Sequence, residues 1–239
     1  MELTNLKSSG SVMIHANNYN LWQAETFRPF LKGRVLEIGC GSGSLTELIA
    51  GSVDELITVD TKREAVDYTR QRMAGRNVDI RQMNVFSEAS RRELGDFDSI
   101  LFCNVLEHID DDLEALKYCR SYLEKRNGTL VLLVPAHQFI YGTLDEEVGH
   151  RRRYSKSDIR RLASQSGFRI QDLFYFNSVG AVGWFINYGI LKRRGTNEGD
   201  ETLQVGLFDR FCVKPTRFIE SLVRPPFGIS VISVMVVSQ

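Results

Sequence analysis

Short apolar runs alternate with polar and charged stretches along most of the chain. Seven of these runs predict β-strands, at residues 34–38, 55–59, 78–82, 97–103, 129–134, 169–176 and 229–237. Segments with helical spacing lie between them, at residues 44–50, 63–74, 110–126 and 155–167. The fifth run is apolar throughout, as in a strand covered on both faces. The pattern therefore predicts an α/β fold with a doubly wound, mostly parallel sheet of seven strands.

A long segment separates the sixth predicted strand from the last one. Its roughly 50 residues are too many for a simple connection and have helical character. The chain of 239 residues is long enough for one sizeable core. We interpret 1–239 as a single domain with four parts. These are an N-terminal helical cap (1–33), a cofactor-binding core (34–176), a helical lid or substrate insertion (177–228) and the last strand (229–239).

The charge balance and the cysteine pattern argue against some classes of function. Lys+Arg and Asp+Glu both number 30, so no bulk charge attracts nucleic acid or an anionic membrane. The four cysteines form no C-x-x-C pair, and no His/Cys cluster has zinc-site spacing. We therefore expect reduced thiols, no metal and no nucleic-acid partner. The first residues lack a signal-peptide pattern, and a cytoplasmic location is expected.

An uncharged stretch at 173–191 is long enough to cross a membrane, and Lys192, Arg193 and Arg194 follow it. It contains Asn177, Ser178 and Asn187 as well as glycines, so we interpret it as the end of a strand followed by a helix. That helix allows peripheral contact with a membrane, or it lines a pocket for an apolar acceptor. The alternative is plain core or lid packing.

A glycine-rich turn connects the first predicted strand to the first predicted helix. Glycines in this place let the backbone turn tightly and approach a ligand closely. Asp60, at the end of the next strand, can accept hydrogen bonds from both hydroxyls of a ribose. The turn carries G-x-G-x-G at Gly39, Gly41 and Gly43.

Two details separate the ligands that fit such a turn. A dinucleotide loop has a third glycine where this chain has Ser44. Glu37 precedes the loop, and its carboxylate would repel a pyrophosphate. It suits a cationic ligand without phosphate, such as S-adenosylmethionine (SAM). A nicotinamide cofactor, or a turn that binds nothing, is the alternative.

Two motifs carry a resemblance to a known family. VLEIGCGSGSLT and FDSILFCNVLEHIDDD, with Asp60 between them, resemble class I SAM-dependent methyltransferases with a Rossmann-like fold. The resemblance covers about 17–167 and is greatest to the branch acting on small molecules, quinones and glycolipid intermediates. A GHRRRY loop at 149–154 is similar to a bacterial subgroup of that family.

The resemblance implies a set of cofactor contacts. Asn84 departs from the family, which often has Asp there, but an amide oxygen can still meet the adenine amino group. The implied contacts are Glu37, Gly39, Cys40, Gly41 and Gly43 for the methionine half, Asp60 for the ribose, Thr61, Asn84 and Val85 for the adenine, and Asn104, Val105 and Leu106 beside the sulfonium. Tyr19 and Trp22 are expected to close over the cofactor.

Methyl transfer from SAM is an in-line displacement that needs alignment and exclusion of water. An oxygen or nitrogen acceptor can also need a general base, for which His150, His137 and Tyr141 are the candidates. Arginines fork onto carboxylates and phosphates. The predicted substrate contacts are His108, Arg152, Arg153, Tyr154 and Trp184. The alternative for the arginines is a solvated charge run that pairs with Asp145, Glu146 and Glu147.

These observations predict a SAM-dependent methyltransferase. We expect it to methylate oxygen or nitrogen, in preference to carbon, on a small-molecule, glycan or lipid-linked acceptor. An NAD-dependent oxidoreductase and a SAM-binding module without catalysis are alternatives. A nucleic-acid methyltransferase is a further one, but the chain has Asn104-Val105-Leu106-Glu107 where base-amino methyltransferases carry Asn/Asp-Pro-Pro-aromatic.

Overall fold

The seven predicted strands are present in the computed structural model, which describes residues 14–186 and 198–238. Each strand lies within two residues of its predicted bounds. They are β1 (Arg34–Ile38), β2 (Glu55–Asp60), β3 (Asp79–Gln82), β4 (Ser99–Cys103), β5 (Thr129–Pro135), β6 (Phe168–Phe176) and β7 (Ser230–Val237). They form one sheet in the order β3-β2-β1-β4-β5-β7-β6. Only β7 runs antiparallel to its neighbours, so the mostly parallel sheet is confirmed.

Helices cover the sheet. They are α1 (Asn17–Phe27), α2 (Ser44–Ile49), α3 (Arg63–Arg72), α4 (Glu88–Leu94), α5 (Asp112–Leu123), α6 (Thr143–Val148), α7 (Lys156–Gln165), α8 (Ser178–Trp184), α9 (Glu198–Phe211) and α10 (Val213–Leu222). The sequence patterns missed α4 and α6. With seven and six residues, these helices are too short to show a periodic apolar face.

The core consists of two apolar layers, one on each face of the sheet. Leu36, Ile100 and Leu132 point into one layer, together with the apolar faces of α5 and α7. Val35 and Leu101, the strand neighbours of Leu36 and Ile100, point into the other layer with α1. Successive residues of a strand face opposite sides, so burial of both faces explains why the central strands are continuously apolar.

The segment between β6 and β7 contains α8, α9 and α10, and it is tied to the N-terminal helix. The Asp209 carboxylate of α9 accepts hydrogen bonds from the backbone N–H groups of Asn18 and Tyr19, at 3.1 and 2.8 Å. These are unpaired donors of the first turn of α1, so Asp209 acts as its cap from 190 residues away. The division into cap, core, insertion and last strand remains a prediction.

The uncharged stretch at 173–191 begins in β6, and Asn177 then caps α8 by accepting from the N–H of Gly180 at 2.8 Å. Its remainder from Asn187 onwards, with Lys192, Arg193 and Arg194, lies outside the described residues. Among the helices that are described, none is long and apolar enough to cross a membrane.

Candidate active site

The glycine turn after β1 lies at the carboxyl edge of the sheet, where open α/β sheets bind ligands. The N–H groups of Gly39 and Cys40 both donate to the carbonyl of Val59, at 2.8 and 3.1 Å. Gly41 has φ +49°, and a Cβ atom built on it would meet nothing within 4 Å. The turn is therefore fixed against β2 on one side and open on the other.

Two carboxylates flank this open face. Glu37 is buried in β1 and accepts a 2.6 Å hydrogen bond from the Thr46 hydroxyl. Burial raises the pKa of Glu37 to about 7. Asp60, at the end of β2, accepts from the N–H groups of Gly41 at 3.2 Å and Lys62 at 2.9 Å. Each Asp60 oxygen keeps a lone pair for a further donor, and its orientation is set by the turn itself.

The residues implied as adenine contacts differ in exposure. Thr61 and Asn84 are exposed near the ends of β2 and β3. The Asn84 amide oxygen already accepts from the N–H of Phe86 at 3.0 Å. The Val85 side chain is only 2% exposed and packs in the core. The contact of Val85 with the adenine stays a prediction, and burial of its side chain leaves the backbone to make it.

The turn after β4 is brought against the glycine turn. Val105 packs directly on Gly39, so a methyl group added to Gly39 would overlap it. Asn104 is exposed and has φ +51°, in the left-handed region that asparagine adopts more readily than most residues other than glycine. Leu106 is fully buried. Its side chain belongs to the core, and the expected position of Leu106 beside the sulfonium stays a prediction.

Tyr19 and Trp22 are core residues. Both are buried and pack on Phe176 at the end of β6, with ring centroids 5.9 and 4.1 Å apart respectively. Asp209 holds the backbone of Tyr19 in place. These rings cover the sheet in this structure, and their closure over the cofactor stays a prediction.

A cluster of polar side chains follows β4 and meets the loop after β5. Glu107 is fully buried, with its Oε1 3.6 Å from Nε2 of His150. The other ring nitrogen of His150, Nδ1, lies 2.7 Å from the Asp145 carboxylate. His108 is exposed, and its Nδ1 lies 3.0 Å from the carbonyl of Gly149. The chain thus joins two acids and two histidines that are about 40 residues apart in sequence.

The Asp145 carboxylate is buried together with the Arg153 guanidinium, whose Nε donates to both its oxygens at 2.9 and 3.0 Å. Burial alone would raise the pKa of Asp145, but the hydrogen bond from His150 and the charge of Arg153 outweigh it and lower the pKa. Arg153 also lies over the Trp184 ring, 4.5 Å from its centroid. This ion pair orients His150 and supports the whole cluster.

The other two arginines of the GHRRRY loop also have partners within the protein. Arg151 pairs with Asp110 at 2.6 Å, and Arg152 with Asp112 at 3.0 Å. The alternative that these arginines pair with nearby acids is therefore correct for Arg153 and Asp145. Arg151 and Arg152 pair with Asp110 and Asp112 rather than with Glu146 and Glu147. Tyr154 is 2% exposed and its hydroxyl lies 3.1 Å from Asp112. Arg153 and Tyr154 are thus too buried for the direct substrate contact that was predicted.

The three predicted catalytic residues occupy different environments. The Tyr141 hydroxyl donates to the carbonyl of His150 at 2.7 Å, and the His150 ring is oriented by Asp145. His137 follows β5 with φ +64° and stacks on Tyr175 at 4.8 Å between centroids. Its Nε2 is buried and has no hydrogen-bond partner among the described residues. Burial and then the charge of Arg153 lower the pKa of His137, so this ring is neutral at pH 7.

Sequence reasoning missed Glu107 as a residue of the site and Asp209 as the cap of α1. Glu107 stands beside His108 in sequence, and that Glu-His pair directly after a strand was a usable signal. Asp209 left no local signal, because its partners are at the other end of the chain.

Comparison of the sequence with known protein families identifies the family of this chain. Residues 17–173 match the sequence profile of the methyltransferase-domain family, and that is more than half of the chain. The chain belongs to this family. It is a class I methyltransferase with the Rossmann-like fold.

One similar protein was found by its sequence and two by their structures. The chain is 34% identical over 101 residues to a ubiquinone biosynthesis O-methyltransferase of Xanthomonas campestris pv. campestris (strain B100). That match covers 41% of each protein, so the chain spans less than half of this relative's length. The fold matches an S-adenosylmethionine-dependent methyltransferase from Clostridium acetobutylicum ATCC 824, with a TM-score of 0.58 and 12% identity. That alignment covers 93% of this chain and 92% of the other.

A third similar protein is the N-methyltransferase NodS from Bradyrhizobium japonicum WM9, solved in complex with S-adenosyl-L-homocysteine. The TM-score is 0.55 and the identity 15%, over 98% of this chain and 90% of NodS. At this identity, the likeness concerns the fold.

Proposed function

We propose that this protein transfers the methyl group of SAM to an oxygen or nitrogen of a small-molecule acceptor. The observation that carries the proposal is the open glycine turn with Glu37 on one side and Asp60 on the other. A cationic ligand without phosphate complements these two carboxylates. NodS, of the same fold, was solved with the product of SAM, S-adenosyl-L-homocysteine.

Each half of the cofactor has its own partners in this proposal. Glu37 receives the ammonium group of the methionine half, and Gly41 lets that half lie against the backbone. Asp60 accepts from the ribose hydroxyls with the lone pairs that Gly41 and Lys62 leave free. Thr61 and the exposed Asn84 flank the adenine. Asn104 and the Val105 backbone lie beside the reacting sulfonium.

His137 is the general base in this proposal. It lies at the carboxyl end of β5, is neutral at pH 7, and offers a ring nitrogen that no described residue occupies. Its strained backbone is of the kind found at active sites. In this proposal His150 and Tyr141 position the loop. A general base favours transfer to a hydroxyl, and the similar protein of Xanthomonas campestris is named an O-methyltransferase.

The surface of α9 and α10 supports an apolar or lipid-linked acceptor and peripheral contact with a membrane. Leu203, Leu207 and Phe211 form a stripe at helical spacing and are 62%, 50% and 62% exposed. The exposed apolar side chains of α10 are Phe218, Ile219 and Leu222, and exposed Val223 directly follows the helix. Arg210 and Lys214 are exposed between the two groups, which suits an anionic lipid surface. The free thiols of Cys40, Cys103, Cys119 and Cys212 support a reducing cytoplasmic location.

The test is the melting temperature of the purified chain with SAM, S-adenosylhomocysteine or NAD. A ligand at a hundredfold excess over its dissociation constant stabilises by about 2.7 kcal/mol. For a chain of this size we expect a rise of roughly 5–10 °C with SAM and its product. Asp60→Ala should abolish that rise. A rise with NAD alone would refute the proposal and favour an oxidoreductase.

A further inference from the structure

Three side chains outside the cofactor turn converge on one point. Glu107, His108 and His150 each offer one ligand atom, and these atoms all lie within 4.8 Å of one another. The nearest defined pair, Glu107 Oε1 and His150 Nε2, is 3.6 Å apart. Two ligand atoms about 2.1 Å from a tetrahedral ion lie roughly 3.4 Å from each other. That pair already has the spacing of metal ligands.

Glu107 supplies an independent observation. Its side chain is fully buried, and neither carboxylate oxygen has a hydrogen-bond partner in the part of the chain that the structure describes. A buried carboxylate without partners is costly, and such groups in proteins are paired or coordinate a metal. The separation of 3.6 Å from His150 is too long for a hydrogen bond. A cation bound between Glu107 and His150 would give the buried carboxylate a partner and would account for the 3.6 Å separation.

The Nδ1 atom of each histidine has a hydrogen-bond partner, as is usual for metal-binding histidines. Nδ1 of His150 contacts the Asp145 carboxylate at 2.7 Å, and Nδ1 of His108 contacts the Gly149 carbonyl at 3.0 Å. If each Nδ1 carries the proton, each Nε2 keeps a lone pair for a metal. Metal-binding histidines almost always donate their second ring nitrogen to a carboxylate or a backbone carbonyl. Asp145 is in turn fixed by Arg153.

We propose that Glu107, His108 and His150 form a binding site for a divalent first-row transition metal ion. Two imidazoles and one carboxylate suit Zn²⁺, Fe²⁺ and related ions, whereas Mg²⁺ and Ca²⁺ prefer oxygen ligands. Three protein ligands leave coordination positions open, as in catalytic rather than structural sites. His108 is exposed, so the side of the site that it forms is open to solvent.

The site lies directly after Asn104 and Val105, next to the end of β4. Its role in the reaction, which rests on the proposed function, is to hold an acceptor hydroxyl in an open position. An ion held there would lower the pKa of the acceptor hydroxyl; its proton would pass to the general base, and the oxygen would attack the methyl carbon of SAM. The C–O bond forms as the C–S bond breaks, and the electron pair stays on sulfur to give S-adenosylhomocysteine.

The test is metal binding by the full chain, independent of methyl transfer. Protein stripped with a chelator is titrated with Co²⁺, whose visible absorption reports ligand type and number, and then with Zn²⁺ as competitor. We expect one Co²⁺ per chain, displaced by Zn²⁺. His108→Ala and Glu107→Gln should weaken binding by at least ~10–100-fold. His15→Ala, at an exposed histidine outside the cluster, is the matched control and should bind as the wild type.

Two results would overturn the site. One is the absence of saturable Co²⁺ binding at about 0.1 mM metal. The other is equal binding by His108→Ala, Glu107→Gln and His15→Ala, which would assign the metal to the surface. Because His108 is exposed, its variant tests the site even if Glu107→Gln fails to fold. The SAM-dependent melting shift, measured on the same samples, separates failure of this site from failure of the proposed function.

Discussion

Gly39 and Val105 touch across the carboxyl edge of the sheet, where the turn after β1 meets the turn after β4. Gly39 has φ +86°, and a Cβ atom on it would overlap Cγ2 of Val105. The contact sets the distance between the glycine turn and the residues beside the reacting group. The backbone of Gly39 is thus required for packing, while that of Gly41 faces open space.

This difference predicts that alanine substitutions at the two glycines have different effects. Gly39→Ala should lower the free energy of unfolding by about 2–4 kcal/mol, because strain and overlap add. The methyl group of Gly41→Ala would contact no atom, so this variant should lose only about 1 kcal/mol of stability, from its left-handed backbone. It should nevertheless weaken SAM binding, because its methyl group fills the open face. Urea denaturation and a SAM titration of both variants measure the two effects. Equal loss of stability in both would contradict the assignment.

The buried Glu37 makes stability depend on pH in the cofactor-free protein. Burial raises its pKa from 4.5 to about 7, so the folded protein binds its proton more tightly than the unfolded chain does. Stability should therefore fall as the pH rises from about 4.5 to about 7 and stay low above that. Glu37→Gln removes this loss, which amounts to at most ~3 kcal/mol.

The measurement for Glu37 is the free energy of unfolding from urea curves between pH 4 and pH 8. Glu37→Gln should be the more stable protein at pH 8 and converge with the wild type near pH 4.5. Glu64→Gln, at an exposed site on α3, is the matched control and should follow the wild type. A Glu37→Gln curve parallel to the wild type would show that the pKa of Glu37 is the same in the folded and the unfolded protein.

His137→Asn should lower kcat by about 10²–10⁴-fold if His137 is the general base. Asparagine tolerates the positive φ of this position, so the loss would come from the imidazole and not from the backbone. In the wild type the rate should fall at acid pH, below the ordinary histidine range, because the lowered pKa keeps the ring neutral down to that point. Steady-state kinetics across pH, with an acceptor found by screening, would measure both.

Tyr141→Phe is the comparison for His137. It removes one hydrogen bond to the carbonyl of His150 and should cost about 1 kcal/mol of stability. Its effect on kcat should be much smaller than that of His137→Asn. A larger loss of kcat in Tyr141→Phe than in His137→Asn would identify Tyr141 as the general base instead.

Arg153→Met should destabilise the protein by about 3–5 kcal/mol, because it leaves Asp145 buried without its main counter-charge. Methionine keeps most of the side-chain volume beside Trp184. Adding Asp145→Asn should recover part of the loss, since the uncompensated charge is then removed. Denaturant unfolding of the two single variants and the double variant forms the cycle. Additive losses would show that the pair is not coupled.

Replacing Leu207 and Phe211 together by serine should reduce binding to vesicles that contain anionic lipid. Both side chains are at least half exposed on one stripe of α9, so the fold does not depend on them. Vesicle flotation measures the bound fraction, and the SAM-dependent melting shift checks that the core is intact. Gln204→Ser, exposed on the same helix, is the matched control. Unchanged flotation of the double variant would exclude this stripe as the contact surface.

The sequence by itself determined the strands, the class of fold and the cofactor turn. Strands of four to nine residues, glycines at a strand–helix junction and an acid at the end of the next strand are local signals. They are readable because each depends on residues that are neighbours in the chain. The resemblance to methyltransferases rested on the same segments.

Only the tertiary structure decided which side chains face the site. Val85 and Leu106 follow strands as cofactor contacts would, but packing of α5 buries them. Asp209 reaches Tyr19 from 190 residues away, and His150 reaches Glu107 from 43. Such contacts leave no periodic trace in the sequence, because they depend on how the loops at the carboxyl edge fold back over the sheet.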